Sequence, residues 1–323
     1  MDQKNELIRN KHWLRLFPPS LQENEDAVKF LFRAIYLAFS SALRLRNALP
    51  NECFESRMLS ENVKAIILSS KDDRAKKISE RIKPLRGAIQ TGVLEEVALV
   101  FYEDPDNDAE VYEVYRFTIG YTNGNPSMEL SGGNKHGADL DNMSRLMQMT
   151  FEGNEHTKDQ FLCLLRVLQT LCKKIMQPLQ KKPCISIRVK LSSEYKLQGF
   201  FESDTFYNLK EDVQTVTVGN VRTPSNGFII SCSSEYIDDA YDCELAMMRI
   251  NDKLASKMGR ANNTQYQTFQ DHHNVTPTAN LFGRLTMHDS LLNSTMNKTR
   301  TEDDAPAVGD VFKRREICEI FKF

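Results

Sequence analysis

The chain has 323 residues and a mass of 37.1 kDa, which is enough for one large domain with a tail or for two small domains. Its hydrophobic fraction of 41%, charged fraction of 27% and net charge of −2 are ordinary for a globular protein and give no global electrostatic reason to expect nucleic-acid or membrane binding. The charged N-terminus excludes a signal peptide, and no run of about 18 apolar residues follows, so we expect a soluble intracellular protein.

The N-terminal part predicts an arm followed by a core helix. Residues 1–23 are polar apart from a few anchors, and Trp13 is predicted to be a packing residue of this arm. The helix is predicted from Asn24, as its N-cap, to Asn47. Apolar residues recur there at three- and four-residue steps, which predicts a wide buried stripe: Val28, Leu31, Phe32, Ile35, Phe39, Ala42 and Leu43.

Short elements are predicted from residue 54 to residue 122. Residues 54–58 predict a strand, the apolar run at 62–69 has no clear period, and 72–91 predict a second helix that breaks after Lys83 because of Pro84. Residues 94–103 and 110–122 are β-rich and flank an Asp-Pro-Asp-Asn-Asp turn, so they predict a hairpin.

The middle of the chain predicts a surface insertion and a central helix. Residues 123–154 are polar, and their Ser-Gly-Gly-Asn at 131–134 is not followed by the G-K-[ST] of a phosphate loop. Residues 157–179 form the most apolar helical stretch and are expected to lie buried against a sheet.

A strict alternation begins after Pro183. Ile185, Ile187, Val189 and Leu191 share one face, and Ser186, Arg188, Lys190 and Ser192 share the other. A period of two predicts a half-buried strand whose polar face is solvated. Two further β-rich pieces follow at 215–221 and 228–232, and Thr-Pro-Ser-Asn-Gly at 223–227 predicts the turn between them.

The last third is predicted to be a linker with a terminal motif. Residues 235–242 are acidic, 245–254 predict a short helical turn, and 244–307 are assigned to a disordered linker because few apolar residues occur together. Hydrophobicity returns at 308–323, which predicts a peptide motif that binds a partner: Val308, Val311, Phe312, Ile317, Ile320 and Phe321. The basic run at 313–315 leaves open a targeting or phosphate-contact cluster.

No pattern of catalytic or metal-ligating residues stands out. The six histidines lie mostly in polar arms and loops, without an H-x-x-x-H pair, and no G-x-S-x-G occurs. The seven cysteines form no C-x-x-C pair and are typical of buried thiols in a reducing compartment. We therefore expect no enzyme, no catalytic residue, no cofactor and no metal.

Two of these stretches resemble one family. The phrase at 111–121 (VYEVYRFTIGY) is similar to the signature strand of the HORMA domain, and residues 183–232 are similar to its C-terminal safety belt. The resemblance covers residues 24–242 and is closest to the short meiotic chromosome-axis HORMA proteins of nematodes. It departs at the belt turn, where Ser225 and Asn226 stand in place of the expected aromatic residue and histidine.

The resemblance implies an α+β fold, with a central mostly antiparallel sheet packed on three helices, a belt at about 200–243 within a domain of 24–243, and a disordered tail. It implies peptide binding by strand addition beside 185–191 under the belt. The peptide-binding residues expected from it are Ile185, Ile187, Val189, Leu191, Phe200, Val216, Val218, Val221, Phe228 and Ile230.

The function implied is that of a meiotic axis adaptor in the nucleus, which supports homologue synapsis and recombination control. Expected partners are closure motifs of other axis HORMA proteins, the chain's own tail or paralogues, and a AAA+ remodelling ATPase that pulls on residues 1–23, with mostly indirect chromatin association and no membrane. Two alternatives stay open. One is a checkpoint or repair HORMA adaptor. The other is a DNA-binding protein that contacts phosphates in a salt-dependent way through Lys173, Lys174, Lys181, Lys182, Arg188 and Lys190.

Overall fold

A computed structural model describes residues 11–60, 63–104, 106–107, 110–121, 149–192, 195–203, 206–210, 213–257 and 315–321, of which 201–203, 254–257 and 315–321 are described by their backbone alone. The described residues up to 254 and those at 315–321 belong to one compact unit. The described residues 255–257 fall outside this unit.

Helices and strands follow one another in an α+β order. The helices are α1 (Asn24–Leu45), α2 (Asp73–Ile82), α3 (Leu85–Gln90), α4 (Asn154–Thr170) and α5 (Ala240–Lys257). The strands are β1 (Phe54–Met58), β2 (Lys64–Leu68), β3 (Leu94–Tyr102), β4 (Glu110–Tyr121), β5 (Cys184–Leu191), β6 (Phe201–Ser203), β7 (Asn208–Leu209), β8 (Gln214–Arg222), β9 (Asn226–Ser234) and β10 (Arg315–Phe321). A 3₁₀ turn at Asn51–Cys53 precedes β1, and α4 continues into a π-helical turn at Leu171–Ile175.

One eight-stranded sheet organises the unit. Its strand order is β6-β10-β5-β3-β4-β9-β8, and β7 pairs with the start of β4. All pairs are antiparallel except β4–β7. β1 and β2 form a separate antiparallel hairpin. The predicted α+β fold with a mostly antiparallel sheet is therefore confirmed.

The main core lies between the sheet and the helices. α1 packs on α3, α4, β2 and β4, and α4 packs on β8. The N-terminal arm joins this core through Trp13, which is 5% exposed and stacks on Phe17 with ring centroids 4.4 Å apart. Phe17 in turn meets Phe161 of α4 edge-on at 5.1 Å. Trp13 is thus a packing residue, as predicted.

The second face of the sheet is also covered, which the sequence analysis did not foresee. A smaller apolar cluster forms there, made of Ala98, Val100, Tyr102, Val111, Val114 and Phe206. Under this cover Ser186 and Arg188 are 0% and 1% exposed. The prediction that the polar face of β5 is solvated is therefore wrong for these two residues, because a later segment of the chain covers them.

Several element boundaries differ from the predictions. Glu23, not Asn24, is the N-cap of α1, and its side chain makes no capping hydrogen bond. The break at Pro84 is confirmed, and the Asp72 side chain caps α2 by accepting hydrogen bonds from the backbone N–H groups of Arg74 and Ala75 at 2.9 and 3.1 Å. α4 begins three residues before the predicted start.

The predicted linker and insertion also need correction or fall outside the structure. The linker predicted from residue 244 begins instead as helix, because α5 runs to Lys257. Most of the predicted insertion, residues 123–148 with its Ser-Gly-Gly-Asn, lies outside the described residues. None of the described helices is long and apolar enough to cross a membrane.

Candidate functional site

A strand from the end of the chain fills a slot between β5 and β6. β10 runs antiparallel to β5, with Arg315 opposite Leu191 and Phe321 opposite Ile185. On its other side β10 pairs with β6, where Cys318 lies opposite Phe201. The main chain of β10 is therefore hydrogen-bonded to a neighbour on each side. The structure thus presents a seat for one extended peptide, occupied by the chain's own C-terminal segment.

The chain encloses this seat. After β5 it passes to β6 beyond β10, and from there it returns across the second face of the sheet to β7, beside the start of β4. We call residues 206–209 the strap. The chain then continues to β8 and β9 at the opposite edge. Because β6 and the strap belong to one connected segment, a peptide paired with β5 lies inside a loop of the domain.

Charged side chains of β5 and β4 hold the strap against the sheet. Arg188 donates from Nη1 to the backbone carbonyl of Phe206 at 2.6 Å and from Nε to Ser186 Oγ at 2.9 Å. Lys190 Nζ lies 4.5 Å from the centre of the Phe206 ring, a distance at which a cation is attracted to the ring face. Arg116 donates to the Tyr207 hydroxyl at 3.4 Å.

The predicted peptide-binding residues separate into two groups. Ile185, Ile187, Val189 and Leu191 are at most 1% exposed. Their side chains belong to the main core, and their main chain pairs with β10. Phe200 is half-buried against the same core and directly precedes β6.

The belt residues predicted to line the peptide lie elsewhere. Val216, Val218, Val221, Phe228 and Ile230 sit on β8 and β9, which β5, β3 and β4 separate from β10. All five are buried in the main core, and β8 packs under α4. The structure therefore does not bring them to the seated strand. Of the predicted tail motif, Ile317, Ile320 and Phe321 lie in β10, whereas Val308, Val311 and Phe312 are outside the described residues.

A buried ion pair fastens the end of the belt. Arg46, just after α1, donates from Nε and Nη2 to the two carboxylate oxygens of Glu113 at 2.9 and 2.8 Å, and both side chains are at most 1% exposed. The hydroxyls of Tyr115 and Ser234 donate to the same carboxylate at 2.7 and 2.9 Å. Burial disfavours the charge of Arg46, but Glu113 outweighs this and raises the pKa of Arg46 above its ordinary value.

This network joins four parts of the fold: the end of α1, β4, β9 and the segment after α4. Glu113 lies on β4, Ser234 ends β9, and Arg46 Nη1 also donates to the backbone carbonyl of Gln177 at 2.6 Å. Sequence analysis missed it, although an acid inside the apolar signature phrase at 111–121 was a signal that a buried partner exists.

The β8–β9 turn closes without the residues expected from the family pattern. Asn226 is 1% exposed, its backbone N–H donates to Thr223 Oγ1 at 3.1 Å, and its carbonyl accepts from the Thr223 N–H at 2.8 Å. Thr157 of α4 donates from Oγ1 to the carbonyl of Arg222 at 2.6 Å. The turn is therefore held by its own polar residues and by the start of α4.

A second feature is a basic cavity of about 860 Å³ at the C-terminal ends of α1 and α4. Six basic residues line it, and its lining contains no acidic residue: Arg44, Arg46, Lys64, Arg166, Lys173 and Lys174. Arg46 is paired with Glu113, and none of the other five forms an ion pair with any described residue.

The structure divides the six basic residues predicted for DNA contact. Lys173 and Lys174 line the basic cavity, and Lys181, which is ion-paired with Glu103, does not. Arg188 is buried under the strap and Lys190 lies against Phe206, so neither belongs to the same patch. The six residues, which lie close together in sequence, therefore do not form one surface patch, because Arg188 and Lys190 face the strap and Lys181 pairs with Glu103.

The described residues show no group of three metal-ligating side chains. Burial raises the pKa of the thiols of Cys163, Cys172 and Cys243 from 9.0 to about 12, so these thiols stay protonated at neutral pH. A protonated, buried thiol is a poor nucleophile, so these three cysteines serve as packing residues.

Comparisons with known proteins agree on one family. The HORMA domain family model matches residues 27–226. The structure of C. elegans HTP-2 bound to the HIM-3 closure motif is similar at 31% identity and a TM-score of 0.62, covering 70% of this chain and 97% of that one. The structure of C. elegans HTP-1 bound to HTP-3 motif-1 is similar at 30% identity and a TM-score of 0.64, covering 71% and 98%.

Curated relatives extend beyond the matched region. HORMA domain-containing protein 1 of Danio rerio is 25% identical over 228 residues, which cover 68% of this chain and 60% of the relative. The protein of the same description from Rattus norvegicus is 22% identical over 229 residues, with 68% and 55% covered. The match thus spans somewhat more than half the length of these relatives.

Proposed function

Because this chain belongs to the HORMA-domain family, we propose that it is an adaptor whose HORMA domain seats a closure-type peptide between β5 and β6. The observation that carries the proposal is the pairing of β10 with a strand on each side. Strand addition supplies affinity through main-chain hydrogen bonds, whatever the side chains of the peptide. The similar C. elegans structures, HTP-1 and HTP-2, are bound to closure motifs.

The seat takes peptides from two sources. In this chain β10 is the chain's own tail, so the seat is filled in cis. A closure motif of another HORMA protein, or of a second copy, competes for the same edge of β5. Exchange between these occupants links one molecule to the next, which is what an assembling adaptor needs.

Release from the seat is slow in this proposal. A peptide inside the loop formed by β5, β6 and the strap leaves only when part of that loop detaches. Detachment breaks the β6–β10 pairing and the contacts of Phe206 with Arg188 and Lys190. Affinity differences among bound peptides are therefore expected mainly in the dissociation rate.

The wider role is that of a meiotic chromosome-axis adaptor in the nucleus, which supports homologue synapsis and recombination control. Similarity to the C. elegans HORMA proteins supports this role. The arm of residues 1–23 is the handle for a AAA+ remodelling ATPase in this proposal. The burial of Trp13 and Phe17 against Phe161 supports that part, because extraction of the arm removes two aromatic rings from the main core.

Peptide binding tests the proposal in the full-length chain. Ile317→Pro removes a backbone N–H from the middle of β10 and prevents its pairing. We call this variant the tail-blocked chain. It should bind a fluorescent peptide of residues 308–323 saturably and release it slowly, whereas the same peptide carrying Ile317→Pro should not bind. A folded tail-blocked chain that binds neither peptide would overturn the proposal.

The basic cavity favours DNA binding as a second candidate function. Besides the ion-paired Arg46, five basic side chains line the cavity without an acidic residue beside them in the lining, and together they attract phosphates. The double variant Lys173→Glu, Lys174→Glu should then weaken a duplex mobility shift and lower its salt slope by about 2, since each phosphate contact contributes about 0.9. Lys181→Glu, Lys182→Glu is the matched control outside the cavity. Equal shifts for both double variants, or none for the native chain, would remove this candidate.

A further inference from the structure

Three charged side chains of alternating sign form a row across the strap-covered face of the sheet. Arg116 Nε on β4 lies 4.0 Å from Glu96 Oε1 on β3, and Lys190 Nζ on β5 lies 3.8 Å from Glu96 Oε2. Glu96 and Lys190 are paired positions of β3 and β5. The side chains of Arg116 and Glu96 are 12% and 11% exposed, so water screens this row less than it screens a surface pair.

The strand register continues the row into the peptide seat. Glu316 of β10 lies directly opposite Lys190 of β5. On the other side of β10, Glu316 lies opposite Ser203 of β6, which carries no charge. The four positions in order, Arg116, Glu96, Lys190 and Glu316, therefore alternate between positive and negative from β4 to β10.

We propose that Lys190 determines which peptides the seat accepts, by requiring an acidic residue at the position that Glu316 occupies in this chain. The inference rests on the proposed function and deepens it. Opposite charges at directly paired positions of antiparallel strands stabilise the pair, and like charges destabilise it. The preferred partner is an extended peptide with Asp or Glu opposite Lys190, and one with Lys or Arg there is rejected.

The surroundings of Lys190 explain why this position distinguishes an acidic from a basic residue in the peptide. Its side chain is 29% exposed, and its ammonium group lies between Glu96 and the ring of Phe206. The strap thus keeps the ammonium group over the sheet, at the row of paired positions. A basic residue in the peptide at this position places a second cation beside Lys190 in a partly desolvated site.

The other glutamate of β10 serves as an internal control. Glu319 lies opposite Ile187, an apolar residue that is 0% exposed. Glu319→Lys changes the net charge of the tail as much as Glu316→Lys does. Only the change at 316 is expected to depend on Lys190.

Hydrogen exchange in the full-length chain tests the proposal through segments 184–191 and 315–321. Glu316→Lys should speed exchange in both segments about threefold to tenfold, and adding Lys190→Glu should bring the rates back to within about twofold of the native chain. The Lys190→Glu substitution also places a second carboxylate beside Glu96. Glu316→Lys is therefore tested in a Lys190→Gln chain as well, where its effect on exchange should disappear. Lys190→Glu should not rescue Glu319→Lys.

The outcomes separate the inference from the proposed function. The inference is wrong if both changes at Lys190 alter the exchange rates of the Glu316→Lys and Glu319→Lys chains alike. Peptide seating then still stands, provided that the native tail slows exchange in segment 184–191. If the tail-blocked chain exchanges in segment 184–191 as slowly as the native chain, the proposed function fails instead.

Discussion

Replacing Phe206 with alanine tests whether the strap controls peptide release. Phe206 is 6% exposed and packs on the second-face cluster, with its ring centre 4.8 Å from that of Tyr207. Burial of a phenylalanine side chain stabilises by about 1.5–3 kcal/mol. The hydrogen bond from Arg188 to the backbone carbonyl at 206 survives the change. If the strap must lift before the peptide leaves, dissociation should accelerate about 10- to 140-fold, since each 1.4 kcal/mol is a factor of about ten.

The assay measures the dissociation rate of the labelled 308–323 peptide. The tail-blocked chain, with and without Phe206→Ala, is loaded with the peptide and then chased with an excess of unlabelled peptide. Tyr207→Phe is the matched control. It removes a hydroxyl whose hydrogen bond from Arg116 is 3.4 Å long and therefore weak, so it should change the rate by less than about threefold. Equal dissociation rates for Phe206→Ala and its parent, with both chains folded, would refute a gating role for the strap.

Two further predictions concern buried groups of the main core. Glu113→Gln should lower the free energy of unfolding by about 3–5 kcal/mol in urea denaturation, because Arg46 is left buried without its carboxylate. Exposed Glu103→Gln is the control and should change it little. Stability should also fall as pH rises from about 9 to 12, because the unfolded chain ionises Cys163 and Cys172 there, while the folded chain holds the pKa of both thiols at about 12. Thermal melts across this pH range measure the loss of stability. Alkylation of the native thiols near pH 8 should be slow, because the folded chain keeps them protonated. Alkylation as fast in the folded chain as in urea would contradict it.

The elements predicted well are those set by local chemistry. Pro84 lacks a backbone N–H, and a proline inside a helical stretch interrupts the helix. The break between α2 and α3 therefore follows from the sequence alone. The β3–β4 hairpin is equally local, because two β-rich runs flank a turn. α5 was underestimated because its acidic start resembles a linker, although Cys243 and Met247 are buried in the main core.

The features predicted poorly are those whose burial depends on a distant segment of the chain. Arg188 looks solvated in an alternating strand, and it is buried because Phe206, 18 residues later, covers it and accepts its hydrogen bond. Likewise Val216 and Val218 lie in the main core, where β8 packs on α4. An apolar residue in a sequence does not reveal whether it faces a core or a ligand. Strand order, which places β8 and β9 at the edge away from β10, comes only from the three-dimensional structure.

The unequal anchoring of the belt predicts which part opens for peptide exchange. β6 and β7 have three and two residues, whereas β8 and β9 have nine each, and Ser234 at the end of β9 bonds to the buried Glu113. Local opening follows the segments with the fewest interactions. We therefore expect residues 201–209 to detach while the β8–β9 hairpin stays paired with β4. During exchange with excess 308–323 peptide, hydrogen exchange should rise in 201–209 and stay slow in 226–234. Equal loss of protection in both segments would mean that the whole belt unfolds before a peptide leaves.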